Sequence, residues 1–518
     1  LIVLRKIFYV LDLVAIILFV AHIAYRPPSL QGRTSSQAVE ASDITALGQL
    51  AVVPPGTDNQ MSGVLSLIEG PDAFASRIAL IRSAQVALDV QYYIWERDAT
   101  GLILLDELRR AAQRGVRVRL LLDDNGVPDL ESDLAALDAL PLVEVRLFNP
   151  FIFRSVKQLG YAFDFFRLNR RMHNKSLTAD GAVSVLGGRN VGDIYFGFGD
   201  GIHYLDTDVL VTGRAAAAVG EDFDRYWSSL SAHPADRILP AASVKALEQL
   251  NVDAEAAASS IEGKLYAEHL RSSDIAKGIA AGRLDLVWAK VTLVSDDPAK
   301  GMGKARAGSL LFPQLVALLD HPVNSIDLVS AYFVPGKQFT ETLADLASNG
   351  TRIRILTNSQ NATDVTVVHS AYVKYRPELL RAGVELFELK SSVTAYAEPD
   401  TVLPLASSGA SLHSKTLVVD EETVFIGSFN FDPRSLFLNT EMGVLIEDDT
   451  VANELTVIFA RTSATASYRP QLIADGSLVW DALTAAGQWV RYHKEPGTTS
   501  TSRALVLAMG LLPIEWLL

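Results

Sequence analysis

Imidazole titrates near neutral pH, so the nine histidines are the first candidates for proton transfer or nucleophilic attack. Two of them sit in a repeated pattern. His173-Asn174-Lys175 is followed by Asp180, and His413-Ser414-Lys415 by Asp420. Gly187 and Gly427 each lie 14 residues past their histidine, and Asn190 and Asn430 each lie 17 past it. Agreement at so many offsets marks the two segments as copies of one unit, His-x-Lys-x4-Asp followed by Gly-[Gly/Ser]-x-Asn. In extended chain alternate residues share a side, so His173 points with Lys175 and His413 with Lys415. If the copies pack about a pseudo-twofold axis, two imidazoles, two ammoniums and two carboxamides converge on one pocket. Ammonium and amide donors suit a phosphate and the charge gathered in its transition state. One imidazole can attack phosphorus while the other protonates the leaving oxygen, the two roles that phosphodiester exchange needs. The lysines stand where a Lewis-acid metal would, so neither a metal nor another cofactor is expected.

Each copy needs a frame, and the frame is repeated too. ALDVQYYIW (87–95) leads through a helix-period stretch into GVRVRLLLDD (115–124), and SIDLVSAYFVP (325–335) leads through another into NGTRIRILTNS (349–359). A third strand follows in each, VEVRLF (143–148) and GVELFEL (383–389). Strands alternating with helices imply parallel pairing through right-handed crossovers. The fold expected is therefore α/β: two related halves, each a mixed sheet with helices on both faces, and the site at their seam.

Composition bounds the alternatives. Charged residues are 20% of the 518, and Asp+Glu (60) exceed Lys+Arg (46) for a net charge of −14. A negative field does not attract DNA or RNA, so no nucleic-acid partner is expected. The chain has no cysteine, which removes disulfides, cysteine nucleophiles and Cys-ligated metals. Residues 7–25, IFYVLDLVAIILFVAHIAY, are apolar except for Asp12 and His22 and follow Arg5 and Lys6. They are long enough for one hydrocarbon core, and read as an uncleaved N-terminal transmembrane helix; a cleaved signal peptide is the alternative. Positive-inside logic would put the catalytic bulk on the non-cytoplasmic side. The Pro-, Gly- and Ser-rich stretch from 26 to 60 reads as a linker.

The paired motifs resemble the phospholipase D superfamily. The stretch GASLHSKTLVVDEETVFIGSFNFDPRSLFLNTEMG (409–443) looks like the C-terminal motif of bacterial cardiolipin synthases. LDVQYYIW, GVRVRLLLDDN, LNRRMHNKS, LGGRNVGDIYF, ILTNS with Asp364 and His369 beyond it, and LPIEWLL are similar to the C type of those enzymes, over roughly residues 70 to 518. The resemblance implies transfer of a phosphatidyl group through a covalent phosphohistidine, with phosphatidylglycerol and phosphatidylethanolamine, or a second phosphatidylglycerol, as substrates. It implies His173 as nucleophile and His413 as general acid and then base, or the reverse. Lys175, Lys415, Asn190 and Asn430 would hold phosphate oxygens, and Asp180 and Asp420 would brace the motif loops. A downstream carboxylate would orient each imidazole: Glu441 for His413, and Asp206 (with Asp208 the alternative) for His173. Arg189, where the second copy has Phe429, would add charge near the lipid phosphate. A hydrolase releasing phosphatidic acid, a nuclease of the same superfamily and a non-catalytic lipid binder are the other readings. The bacterial inner membrane is the implied location, and the need for an accessory protein is left open.

The organisation expected is an anchor over 1–25, a linker over 26–60, a first half over 61–235, a helical connector over 236–305, a second half over 306–470 and an apolar tail over 471–518. The aromatic and basic stretch from 148 to 171 reads either as a surface that beds into lipid headgroups or as a buried hairpin with a basic edge. His369 is a candidate for the pocket. His203, His233, His269, His321 and His493 lack a partner pattern, and Asp296, Asp297 and Lys300 read as a turn.

Overall fold

The computed structural model describes residues 2–24, 26–197, 202–319, 324–391, 409–484 and 486–518, without the side chains of residues 2–4, 7, 8, 10, 22, 24, 202 and 409. The first half contains β1 (Ser62–Leu67), β2 (Ala87–Tyr92), β3 (Arg117–Asp123), β4 (Val143–Phe148), β5 (Ser176–Ala179), β6 (Val183–Gly187), β7 (Ile202–Leu205), β8 (Asp208–Thr212) and β9 (Ala232–Pro234). β2, β3 and β4 pair in parallel, and from β2 the sheet continues antiparallel through β5, β6, β8 and β1. The second half repeats this plan with β10 (Val287–Ser295), β11 (Ser325–Ser330), β12 (Arg352–Asn358), β13 (Glu385–Leu389), β14 (Gly409–Leu412), β15 (Lys415–Val419), β16 (Thr423–Gly427) and β17 (Met442–Glu447). There β11, β12 and β13 are parallel, and β15, β16, β17 and β10 continue antiparallel from β11.

Each parallel unit is closed in the same way. The helices Ala99–Gln113 and Gly336–Ser348 end just before Gly115 and Gly350, whose φ of +100° and +102° lets the chain reverse into β3 and β12. The Arg-x-Arg alternation then has a structural cause. Arg119 is buried opposite Asp89 in the register of β2 and β3, bonds it at 2.6 Å and lies over the Phe223 ring. Arg354 stands opposite Asp327 in β11 and β12, pairs with it and lies over Phe459. A buried guanidinium is tolerated only when paired, so these strands carry the carboxylate with the arginine.

The halves share one framework. β10 pairs with β1 through Ala289–Val287 and with β17 through Lys290–Ser295, so the two sheets run into each other. Val64, Leu186, Val209 and Val211 of the first half form a single apolar cluster with Val424, Ile426, Val444 and Ile446 of the second. Burying such a face at roughly 25 cal/mol per Å² makes the seam part of the core. The span expected as a helical connector is helical over Ala246–Ser259, Ile261–Ser272 and Asp274–Ala280, but its β10 is a sheet strand. The tail is not simply apolar either. β18 (Ser467–Leu472), β19 (Leu478–Leu483) and β20 (Trp489–Tyr492) extend the second sheet beyond β13, and the helix Ser500–Gly510 lies on the helix Thr366–Arg381. Glu515 receives Lys374 Nζ (3.2 Å) and the Tyr375 hydroxyl.

Residues Ile2–Ala24 form a helix beside the helix Tyr161–Leu168. Among the described residues no helix is long and apolar enough to cross a membrane, so the transmembrane helix expected over 1–25 is not shown.

Candidate active site

The parallel strands hold the residue before each histidine. Asp123, at the end of β3, accepts the Met172 N–H (2.8 Å) and pairs with Arg171 (2.8 Å to Nε). Asn358, at the end of β12, accepts the Leu412 N–H (2.8 Å) and donates to the Leu412 carbonyl (2.9 Å). His173 and His413 then leave these clamps at matching places, one before β5 and one before β15.

Each of these entering segments pairs with the opposite half. β14 runs parallel to β7, with Leu412 opposite Leu205, and the Leu205 carbonyl receives the N–H groups of His413 (2.8 Å) and Ser414 (2.9 Å). Met172 bridges to Thr440 in parallel, and the His173 N–H donates to the Thr440 carbonyl (2.8 Å). Asp206 and Glu441 are the next residues along those partner segments. His173 Nδ1 therefore meets Glu441 Oε2 at 2.8 Å, and His413 Nδ1 meets Asp206 Oδ2 at 2.5 Å. This reverses the expected pairing: each carboxylate serves the histidine of the other half. Asp208 serves neither, since it pairs with Arg77 (2.8 Å). With Nδ1 committed to a carboxylate, Nε2 is the free atom of each ring.

The Gly-[Gly/Ser] position supports these carboxylates. A Cβ on Gly188 would lie 1.9 Å from Asp206 Oδ1, so glycine is required there. At the equivalent place Ser428 donates its hydroxyl to Glu441 Oε2 (2.5 Å), while Ser435 donates to Oε1 (2.9 Å). Asp296, read as part of a turn, accepts the Glu441 N–H (2.9 Å) and the ammonium of buried Lys300 (2.8 Å), which also donates to the Ser435 carbonyl.

The charges converge at the buried seam between the halves. His173, Lys175, His413 and Lys415 are all buried. Burial pushes His173 down to about 4 and Lys175 down to about 7, and it lowers His413 and Lys415. Each histidine also feels the lysine of the other half. Burial alone would raise Asp206 and Glu441, but the imidazoles they bond and the neighbouring lysines hold both below the usual carboxylate range. Lys175 Nζ donates to the His173 carbonyl (2.6 Å) and Lys415 Nζ to that of His413. Two neighbouring buried ammoniums suit a phosphate group.

Asn190 is engaged, accepting from the Ile94 N–H (3.1 Å) and donating to the Tyr195 hydroxyl (3.0 Å), which leaves one amide hydrogen for a ligand. Asn430 keeps a buried amide oxygen without a partner. Asp180 and Asp420 sit at the far ends of β5 and β15. There Asp180 accepts the N–H groups of Gln85, Val86 and Ala87, and Asp420 those of Asn324 and Ser325. Arg189, expected to add charge near the lipid phosphate, has its buried guanidinium engaged by the carbonyls of Leu67, Ile68, Tyr195 and Asp206. His369 is likewise elsewhere, bonded to Glu495 (2.7 Å) beside Arg376. His233 lies in β9, His203 in β7, His269 bonds Asp72 (2.9 Å), His493 is exposed, and His321 is outside the described residues. Unforeseen were the tyrosines that wall the imidazoles: Tyr93 stands edge-on to His173 at 5.1 Å, and Tyr195 and Tyr204 lie 5.2 and 5.0 Å from His413.

The aromatic and basic stretch leads to this seam. Arg154 pairs with Asp124 (2.5 Å) and Arg167 with Asp164 (2.6 Å), whereas Arg170 donates to the Phe437 carbonyl (2.8 Å), and Phe166 is 78% exposed.

Comparison with known proteins agrees in extent with this architecture. The family described as cardiolipin synthase, PLD-like domain, matches residues 78–227 and 315–463, one segment in each half. Cardiolipin synthase C of Escherichia coli is 44% identical over 88% of this chain and 96% of its own. Cardiolipin synthase 2 of Staphylococcus epidermidis is 27% identical over 78% and 68%. The crystal structure of phosphatidylserine synthase from Haemophilus influenzae shares the fold, with a TM-score of 0.55 at 14% identity, over 89% of this chain and 98% of that one.

Proposed function

The chain belongs to the cardiolipin synthase family with its PLD-like domain, and on that footing we propose that it is a phosphatidyltransferase that makes cardiolipin from two phospholipids. The observation that carries the reading is the pair of buried imidazoles, each held through Nδ1 by a carboxylate of the other half, above two buried lysines. His173 Nε2 attacks the phosphorus of the donor lipid, and the bond from phosphorus to the headgroup oxygen breaks. His413 Nε2–H gives its proton to that oxygen, and the headgroup alcohol leaves. The acceptor hydroxyl then loses its proton to His413 while its oxygen attacks phosphorus, breaking the P–N bond and freeing His173. Glu441 and Asp206 hold the tautomers and balance the imidazolium charge. Lys175, Lys415, Asn190 and Asn430 bind the phosphoryl oxygens as negative charge grows.

Phosphatidylglycerol is the acceptor, with phosphatidylethanolamine or a second phosphatidylglycerol as donor. The division into anchor, linker, two halves, connector and tail follows the boundaries given above, except that β10 and β18–β20 belong to the second half's sheet. The helix Ile2–Ala24 is the anchor to a bacterial inner membrane, with the catalytic bulk on the non-cytoplasmic side. Nine of its apolar side chains, from Tyr9 to Ile23, are 45–64% exposed, which supports this reading. Mass spectrometry of the lipids after incubating the protein with both phospholipids in micelles tests the transfer. Cardiolipin is expected with wild type and none with His413→Ala; phosphatidic acid instead would make the protein a hydrolase.

A further inference from the structure

The surroundings of the two histidines differ in charge. At His413 the wall is Tyr195 and Tyr204. The hydroxyl of Tyr204 (2.9 Å) and that of Tyr332 (2.8 Å) both donate to Oδ2 of Asp364. Asp364 is exposed, and among the described residues it forms no ion pair. Its charge reaches the seam, where it favours the ammonium of Lys415. Among the described residues Oδ1 has no hydrogen-bond partner, and a carboxylate has about four acceptor sites, so a donor cation can still bind there. Tyrosine faces add attraction for a cation within ~6 Å. At His173 the wall is of another kind. Tyr93 receives the Asn125 amide and Tyr161 donates to the same amide, both at 3.4 Å. Arg171 and Arg434 reach Tyr93, and the nearby Asp123 is consumed by Arg171.

We infer that Asp364, Tyr204 and Tyr332 form a subsite for the ammonium group of a zwitterionic donor headgroup, placed one tyrosine ring away from His413. This rests on the transferase reading and deepens it. An amino alcohol held there has its ester oxygen at His413, so His413 is the acid that protonates the leaving headgroup and His173 is the group that attacks. The stoichiometry is that already given, with a free amino alcohol as the first product. The acceptor hydroxyl enters by the same side once the amino alcohol has gone.

The test is a competition in one micelle between phosphatidylethanolamine and phosphatidylglycerol, each isotope-labelled in its headgroup, read as the ratio of ethanolamine to glycerol released by the full-length protein. That ratio is the ratio of kcat/KM values. Wild type is expected to favour ethanolamine. Asp364→Asn should lower the ratio about tenfold and Tyr332→Phe by a few-fold, while Asp364→Glu retains most of it. A ratio unmoved by Asp364→Asn, with Tyr332→Phe equally silent, overturns the subsite. Glycerol release with cardiolipin but no ethanolamine release from wild type also overturns it and leaves the transferase standing. If wild type releases neither headgroup, the transferase reading fails, and the subsite fails with it.

Discussion

Crossing of the carboxylates makes His413 depend on a residue 207 positions away and His173 on one 268 away. Asp206→Asn should therefore disturb His413, and Glu441→Gln should disturb His173, each lowering kcat about a thousandfold with little change in folding. Imidazole 15N spectra of the two variants give the assignment: the wrong ring moving in either variant would sink the cross-pairing. A second consequence concerns Lys175, whose buried ammonium titrates at about 7. At pH 7 it is about half protonated, and a bound anion raises its pKa. Binding of sulfate, which does not titrate near neutral pH, should then take up about half a proton at pH 7. Uptake by Lys175 should vanish below about pH 6, where it is already charged, and sulfate affinity should fall as pH rises through 7. Calorimetry in buffers of different ionisation enthalpy measures this directly, and zero uptake at pH 7 would refute it.

Within single elements, the motif aspartates do mechanical work. Asp180 ties three backbone N–H groups to the end of β5 from a left-handed turn (φ +53°). Asp180→Ala leaves those donors bare and should cost about 2–4 kcal/mol of stability. The kcat of the folded fraction should change by less than about tenfold. A large loss of kcat at unchanged Tm would return Asp180 to the chemistry. Much of this element plan was legible in the chain. The strands expected at 87–95, 115–124, 143–148, 325–335, 349–359 and 383–389 contain β2, β3, β4, β11, β12 and β13, because apolar strand runs and helix-ending glycines are local properties. The partner of each carboxylate was not legible. Asp206 and Glu441 could be found from the family resemblance, which implies a carboxylate downstream of each histidine, but their histidines are fixed by the parallel pairing of β7 with β14 and of Met172 with Thr440. That pairing joins different halves and leaves no local mark. Arg189 misled for a related reason: an arginine beside a phosphate motif looks like a ligand, yet here four backbone carbonyls claim it.

At the scale of the whole molecule, the seam is both core and catalyst. β10 stitches the half-sheets, the shared apolar cluster holds them face to face, and the histidines stand where their strands cross. The His173 side of that seam lies beside exposed apolar surface. Residues 150–171 lead directly into His173, Arg170 bonds the Phe437 carbonyl, and Arg434 donates to the carbonyl of Leu517 (2.9 Å). Phe166, Phe437, Leu511, Leu512 and Trp516 on these three segments are at least half exposed, and the helix Ile2–Ala24 packs beside Tyr161–Leu168. A helix of 23 residues is roughly 35 Å long at ~1.5 Å per residue, and leaving its apolar side chains in water is unfavourable by ~25 cal/mol per Å². On the proposed anchoring, the membrane that holds this helix meets the His173 side of the seam. Deleting residues 1–25 should release the protein from membranes in a carbonate wash while sparing turnover of micellar substrate, because none of the site residues lies in that segment. Turnover on intact vesicles should fall at least about tenfold. Retention of the shortened protein on the membrane would show that the exposed set around Phe166, Phe437 and Trp516 suffices as the anchor, and unchanged turnover on vesicles would separate the N-terminal helix from substrate delivery altogether.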